Sequence, residues 1–160
     1  KEMKVTHVKP HGALNNMACE NYDLSLIIGK TIKNFDKDLI YMVLPNTEME
    51  KAAKDLNIKY ACEIFADRNY NDNGLLISRS KKNAIVTNPD QASNNILKMI
   101  SDSSIFSING IKIPCKIDSI CVHGDTNNSL QIAKKVKKIL INNGYVLKPL
   151  NLLKKFNTTQ

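Results

Sequence analysis

At 160 residues, 42% hydrophobic and 24% charged, the chain is sized for one globular domain with a sizeable core. No run approaches the ~18–20 continuous apolar residues that cross a bilayer, and Lys1-Glu2-Met3-Lys4 lacks the apolar core of a secretory signal, so a cytoplasmic protein without membrane partners is expected. The net charge of +8 is almost all lysine, and its densest run, Lys134-Lys135 with Lys137-Lys138, has no interleaved aromatics; a solvated helix face is expected there rather than nucleic-acid binding.

In chain order, Val5 to Val8 reads as a short strand ended by Pro10 and Gly12. One helix follows, with Leu24, Ile27, Ile28 and Ile32 on its apolar face. Leu39 to Leu44 is an unbroken apolar run, the pattern of a strand buried on both faces. Thr47 with Glu50 predicts a capping box for a helix whose inner face is Met49, Ala52, Ala53 and Leu56. Tyr60 to Ala66 predicts a third strand, followed by an irregular polar stretch over 67–83 that turns at Gly74. Asn88-Pro89-Asp90-Gln91 predicts a capped helix start, with Ala92, Ile96, Met99 and Ile100 buried behind it. Asn109-Gly110 is a two-residue hairpin signal. A strand over 117–122, a helix over 129–142 closed by Gly144, and a last strand over 146–150 complete the pattern. Residues 1–150 thus form a single α/β domain with parallel strands, and 151–160 a frayed tail. A closed (β/α) barrel usually takes ~200 residues or more, so an open sheet or an incomplete barrel is expected.

Cys19, Cys62, Cys115 and Cys121 form no C-x-x-C pair, which fits buried free thiols in a reducing compartment. The sequons at Asn127 and Asn157 would matter only in a secreted protein. The arginines are Arg68 and Arg79, both in one segment; a guanidinium among so many lysines suits a planar contact to carboxylate or phosphate.

Three runs carry the chemistry: His7 to Leu14 (HVKPHGAL), Glu63 to Tyr70 (EIFADRNY) and Ser119 to Thr126 (SICVHGDT). Each lies at the downstream end of a predicted strand, where α/β enzymes carry their active sites. Strand parity groups Lys9 with His11, Glu63 with Asp67, and His123 with Asp125, so each strand is expected to send an ionisable pair toward one rim. His11 and His123 are candidates for general base or metal ligand, Glu63 and Asp67 for positioning water or a cation, Asp125 for a further catalytic role, and Lys9, Arg68 and Arg79 for holding an anion. Whether a metal takes part stays open. Gly29-Lys30-Thr31 imitates the end of a P-loop but falls mid-helix, and no serine elbow or H-E-x-x-H motif is present.

These runs resemble, in order and spacing, the signature segments of the LamB/YcsF family. The resemblance implies a (β/α) barrel of the glycoside hydrolase/deacetylase type, incomplete here on its N-terminal side. It implies ring opening of 5-oxo-L-proline to L-glutamate coupled to ATP hydrolysis, with ATP and Mg2+ bound and with 5-oxoprolinase subunits B and C as partners. On the family's pattern, Lys9, His11, Glu63, Asp67, Arg68, His123 and Asp125 would surround the pocket. Departures are Asn15 for the family's tyrosine, Asn127-Asn128 for its proline-glycine, and Val43-Leu44-Pro45-Asn46-Thr47 for a glycine-rich loop. The family's acidic opening segment and its Phe-His-Ala-Gly-Asp run have no counterpart here, so a separate N-terminal fragment is a further expected partner. The alternatives are a non-catalytic remnant or interaction module of the same family, and a metal-dependent deacetylase-like hydrolase.

Overall fold

The computed structural model describes residues 4–126 and 128–156. They fall into two compact units, Lys1–Glu63 with Lys148–Gln160, and Ile64–Leu147. The sequons at Asn127 and Asn157 lie outside the described residues.

The first unit begins with β1 (His7–Val8), α1 (Gly12–Glu20), α2 (Tyr22–Phe35), β2 (Ile40–Val43), α3 (Glu48–Asp55) and most of β3 (Tyr60–Phe65). β1 pairs with β2 and β2 with β3, both parallel, in registers that set His7 opposite Ile40 and Met42 opposite Ala61. All four residues of β2 are buried, as its apolar run predicts. The one helix expected between the first two strands is two. Asn21 takes extended backbone angles, ends α1 by donating its N–H to the Met17 carbonyl, and caps α2 by accepting the Leu24 N–H at 2.9 Å. Gly29 does lie inside α2, so the P-loop likeness is excluded on structural grounds. A Cβ there would stand 2.6 Å from Leu56 Cδ1, so any larger residue would make the end of that side chain shift.

The capping box before α3 does not form. Thr47 Oγ1 donates instead to the Leu44 carbonyl at 2.8 Å, and Glu50 accepts from the Asn46 N–H at 2.7 Å. Asn46, at φ 59°, turns the chain so that its own N–H comes within reach of Glu50. The inner face of α3 is as expected, with Met49, Ala52 and Ala53 fully buried.

Two expectations at the chain's end are corrected. No strand forms over 146–150: Val146 and Leu147 are exposed, and Pro149 brings no N–H to a ladder. Of the tail expected to fray, 151–160, the described part, 151–156, is instead folded into two 3-10 turns, Leu150–Leu152 and Lys154–Phe156, and 157–160 lie outside the described residues. Leu150 and Phe156 pack against Ile40, Met42 and Ala61, which anchors the turns.

The second unit holds the end of β3 (Ile64 and Phe65), α4 (Pro89–Ser101), β4 (Ser104–Phe106), β5 (Lys112–Pro114), β6 (Ser119–Cys121) and α5 (Ser129–Asn142). The end of β3 lies beside β6, and just beyond it the Ala66 N–H donates to the Cys121 carbonyl at 3.0 Å. Its core is built on Ile64, Tyr70, Ile96, Ile105, Ile132 and Leu140. Asn88 caps α4 as predicted, accepting from Asp90 N–H at 2.9 Å and Gln91 N–H at 3.0 Å. α5 ends as predicted, with Gly144 at φ 82° and bonds from Gly144 N to Ile141 O and Tyr145 N to Leu140 O. Lys134, Lys135, Lys137 and Lys138 are all exposed on α5.

The hairpin of β4 and β5 is antiparallel, but its loop is longer than two residues. Ser107 N–H bonds the Ile111 carbonyl and Gly110 N–H the Ser107 carbonyl, leaving a three-residue loop with Gly110 at φ 82°. Glycine at the left-handed third position is what that loop needs, so Asn109-Gly110 marks the turn but not its length. Over 67–83 the chain is irregular but bonded, with antiparallel bridges from Arg68 to Ile85 and Tyr70 to Leu76 and the expected turn at Gly74. All four cysteines are free thiols. Among the described residues no helix is long and apolar enough to cross a membrane.

Candidate active site

In the first unit, β1 delivers Lys9 and His11 beyond its downstream end. Lys9 Nζ lies 2.5 Å from Glu63 Oε2, so the cation that the sequence marks as an anion holder is engaged by a carboxylate of the same unit. Glu63 is buried and Lys9 half-buried. An ion pair there costs desolvation of both groups, which a site needing a fixed ammonium would justify. His11 is the N-cap of α1, and its Nδ1 accepts the Gly12 N–H at 2.8 Å.

The second unit brings Asp67 and His123 together. Asp67, 1% exposed, takes the His123 backbone N–H on Oδ2 at 2.9 Å. Both of its oxygens stand 3.0 Å from His123 Nδ1. A carboxylate only accepts, so Nδ1 carries a proton and the neutral ring's lone pair sits on Nε2. The imidazole is fixed a second way by stacking on Phe65, with centroids 5.5 Å apart and planes 22° apart. Tyr70 holds that strand end in turn, its hydroxyl oxygen accepting the Phe65 N–H at 2.8 Å. The strand parity that puts Phe65 and Asp67 on one side of their strand is thus expressed, since both engage the same ring.

Arg79 and Asp125 pair at 2.6 Å on the surface of this unit. The hydrogen bond from Arg79 holds the Asp125 carboxyl below its ordinary range. Arg68 behaves differently from its partner in sequence: it is buried, and its Nη2 donates to the Ile77 carbonyl at 2.5 Å, bracing the irregular segment. Burial, with Arg79 adding repulsion, lowers its pKa from the usual guanidinium value. His123 also lines an open cavity of about 420 Å³ whose other polar side chains are Thr126 and Ser129. The Ser129 hydroxyl donates to the Thr126 carbonyl at 2.7 Å, tying that loop to the start of α5.

A histidine held through Nδ1 by a buried carboxylate is equipped to take a proton from water at Nε2. Among the described residues there is no group of three or more His, Cys, Asp and Glu side chains arranged to hold a metal.

A model of the LamB/YcsF family matches residues 1–155. The chain belongs to the LamB/YcsF family. It is 45% identical over 140 residues to a protein named as the 5-oxoprolinase A-subunit from Campylobacter jejuni subsp. doylei, a match covering 88% of this chain and 55% of that one. A protein of the same name from Nitrobacter hamburgensis is 39% identical over 151 residues, 94% of this chain and 59% of the relative. The chain therefore spans somewhat over half the length of the curated relatives it matches. The crystal structure of the lactam utilization protein from Thermus thermophilus superposes with a TM-score of 0.81 at 29% identity, covering 91% of this chain and 58% of that one. The fold class read from the sequence, an α/β barrel type present in part, agrees with this likeness.

For a family member so read, the motif residues divide unevenly in the structure. Asp67 and His123 meet, Lys9 meets Glu63, Asp125 meets Arg79, and Arg68 faces backbone. Sequence reasoning passes over Phe65 and Tyr70, which orient the histidine and its strand. Their signal was only that Phe65 shares parity with Asp67 and that Tyr70 closes the same run. Thr126 closes the third run, and Ser129 carries no signal beyond its place at the start of a predicted helix.

Proposed function

We propose that this chain is a component of an ATP-dependent 5-oxoprolinase, contributing Asp67 and His123 as the base that delivers water to the activated lactam. The pairing of the buried Asp67 carboxylate with His123 Nδ1 at 3.0 Å is the observation that carries this reading, and the names of the relatives support it. A lactam carbonyl resists water because the ring nitrogen feeds it electrons. In the proposed sequence its oxygen attacks the γ-phosphorus of ATP, ADP leaves, and the phosphorylated carbon becomes the better electrophile. His123 Nε2 takes a proton as water adds to that carbon, and Asp67 stabilises the imidazolium. The carbon–nitrogen bond breaks, the amine leaves with the proton, and a second water splits the acyl phosphate to carboxylate and phosphate. Mg2+ would arrive with ATP. Lys9, Arg68 and Arg79 are the cations proposed to hold carboxylate or phosphate, Lys9 and Arg79 by exchanging their present partners Glu63 and Asp125 for the substrate.

The test is release of glutamate from 5-oxoproline and ATP by the purified chain combined with 5-oxoprolinase subunits B and C and the remaining N-terminal portion of a family member. Glutamate that disappears with His123→Ala supports the reading. No glutamate from the wild-type mixture overturns it and favours an interaction component.

A further inference from the structure

The side chains that α5 turns away from its core change character along the helix. Ile132, Val136 and Leu140 form the buried stripe. Further along, the exposed positions carry Lys134, Lys135, Lys137 and Lys138, but the start of the helix shows Leu130, 61% exposed, and Ala133. These two, with Val122 just past β6, line the open cavity of about 420 Å³ beside His123. No Lys, Arg, Asp or Glu lines it. Its two hydroxyl-bearing residues are tied to each other: Ser129 Oγ donates to the Thr126 carbonyl at 2.7 Å and accepts the Thr126 N–H at 3.1 Å. A ligand entering there meets mainly apolar side chains and one imidazole. A single exposed leucine on a helix is ordinary. An apolar wall around a cavity, with one polar group fixed in place by a buried carboxylate, is the pattern of a small-molecule site.

We propose that this cavity takes the uncharged, methylene-bearing edge of a small ring, and that Leu130 and Ala133 determine specificity there. An anion finds no side chain to pair with in the cavity and would lose water against Val122, Leu130 and Ala133, whereas methylene groups gain from the same contacts. Ala133 is the smallest side chain of that wall, so growth at this position removes the room the ring needs. The identity of the ring, the lactam of 5-oxoproline, rests on the oxoprolinase reading given above; the preference for an uncharged, partly apolar ligand does not. The carboxylate of that substrate stays outside the cavity.

Methyl NMR on the full chain tests this with pyrrolidone, the lactam ring without a carboxylate. Pyrrolidone should shift the Val122, Leu130 and Ala133 methyl signals saturably, while acetate and inorganic phosphate at equal concentration leave them in place. Ala133→Leu, at an exposed helix position that tolerates leucine, should weaken pyrrolidone binding about tenfold. Leu130→Ala, which removes contact without touching the core, should weaken it about threefold. Absence of a saturable shift, equal shifts from either anion, or unchanged affinity in both variants overturns the proposal. In the reconstituted enzyme Ala133→Leu should raise KM for 5-oxoproline about tenfold and leave kcat within about twofold, a split that general loss of structure would not produce. If the methyl signals respond as expected and no mixture releases glutamate, the oxoprolinase reading fails and the cavity assignment stands. Glutamate released with KM unchanged in Ala133→Leu has the opposite meaning: the reading survives and the assignment falls.

Discussion

Replacing Asp67 by Asn removes the charge but little of the volume, and so isolates what the carboxylate does. In the wild type its oxygens accept two donors, the His123 N–H at 2.9 Å and Nδ1–H at 3.0 Å, in a site 1% exposed. Hydrogen bonds to a charged group contribute about 1.5–3 kcal/mol each and neutral ones about 1 kcal/mol. An asparagine keeps one acceptor oxygen for the backbone N–H and turns an NH2 toward Nδ1. Were the ring to keep its tautomer, two donors would face each other, so the proton moves to Nε2 and Nδ1 accepts. With that rearrangement the expected loss is about 1–4 kcal/mol, or roughly 3–12 °C in Tm for a chain of this size. Urea unfolding followed by circular dichroism measures the loss, and the His123 nitrogen shifts report the tautomer. A reconstituted enzyme should fall by about 10³- to 10⁴-fold, the penalty of a base holding its proton on the wrong nitrogen. A variant within about 0.5 kcal/mol of wild type whose His123 stays protonated at Nδ1 would refute the argument.

Asn88→Ala should cost about 1 kcal/mol in urea unfolding, because Asn88 supplies a side-chain acceptor for the Asp90 and Gln91 N–H groups; no change would mean that water replaces the cap at no cost. Burial pushes the Cys19 thiol up from 9.0 to about 12, so the folded chain keeps a proton that the unfolded chain loses. Stability should then fall as pH rises above 9, by up to about 1.4 kcal/mol per pH unit, and Cys19→Ala should flatten that slope. The Asp125 carboxyl, held down by its hydrogen bond from Arg79, should titrate below 3.8 by carbon NMR and move back toward 3.8 in Arg79→Ala. Its contribution is present above its unfolded value and vanishes as pH falls through the lowered one, and salt should weaken it because both groups are exposed.

Elements stated by a few neighbouring residues were legible. β2 needed only its apolar run, α4 its Asn-Pro start, and α5 its periodicity with Gly144 behind it. Expectations failed where one local signal served two outcomes. Asn21 reads equally as a helix residue and as a break; it breaks because its side chain caps α2 while its backbone closes α1. Thr47 reads as a cap, but the turn at Asn46 redirects its hydroxyl to Leu44. The segment 146–150 has strand composition and Pro149, and the missing N–H decided against the strand.

The family and the candidate residues of the site are written in three short runs, because motif identity and strand parity are properties of neighbours along the chain. Parity put Asp67 on the same side of its strand as Phe65, and both do engage His123. Which ionisable group would meet which was not written there. Asp67 and His123 are 56 residues apart, and Arg79 and Asp125 are 46 apart. Nor can a run of letters say which nitrogen of an imidazole holds the proton. That depends on whether the nearest group donates or accepts, and only the folded chain sets a carboxylate against His123 and a backbone N–H against His11.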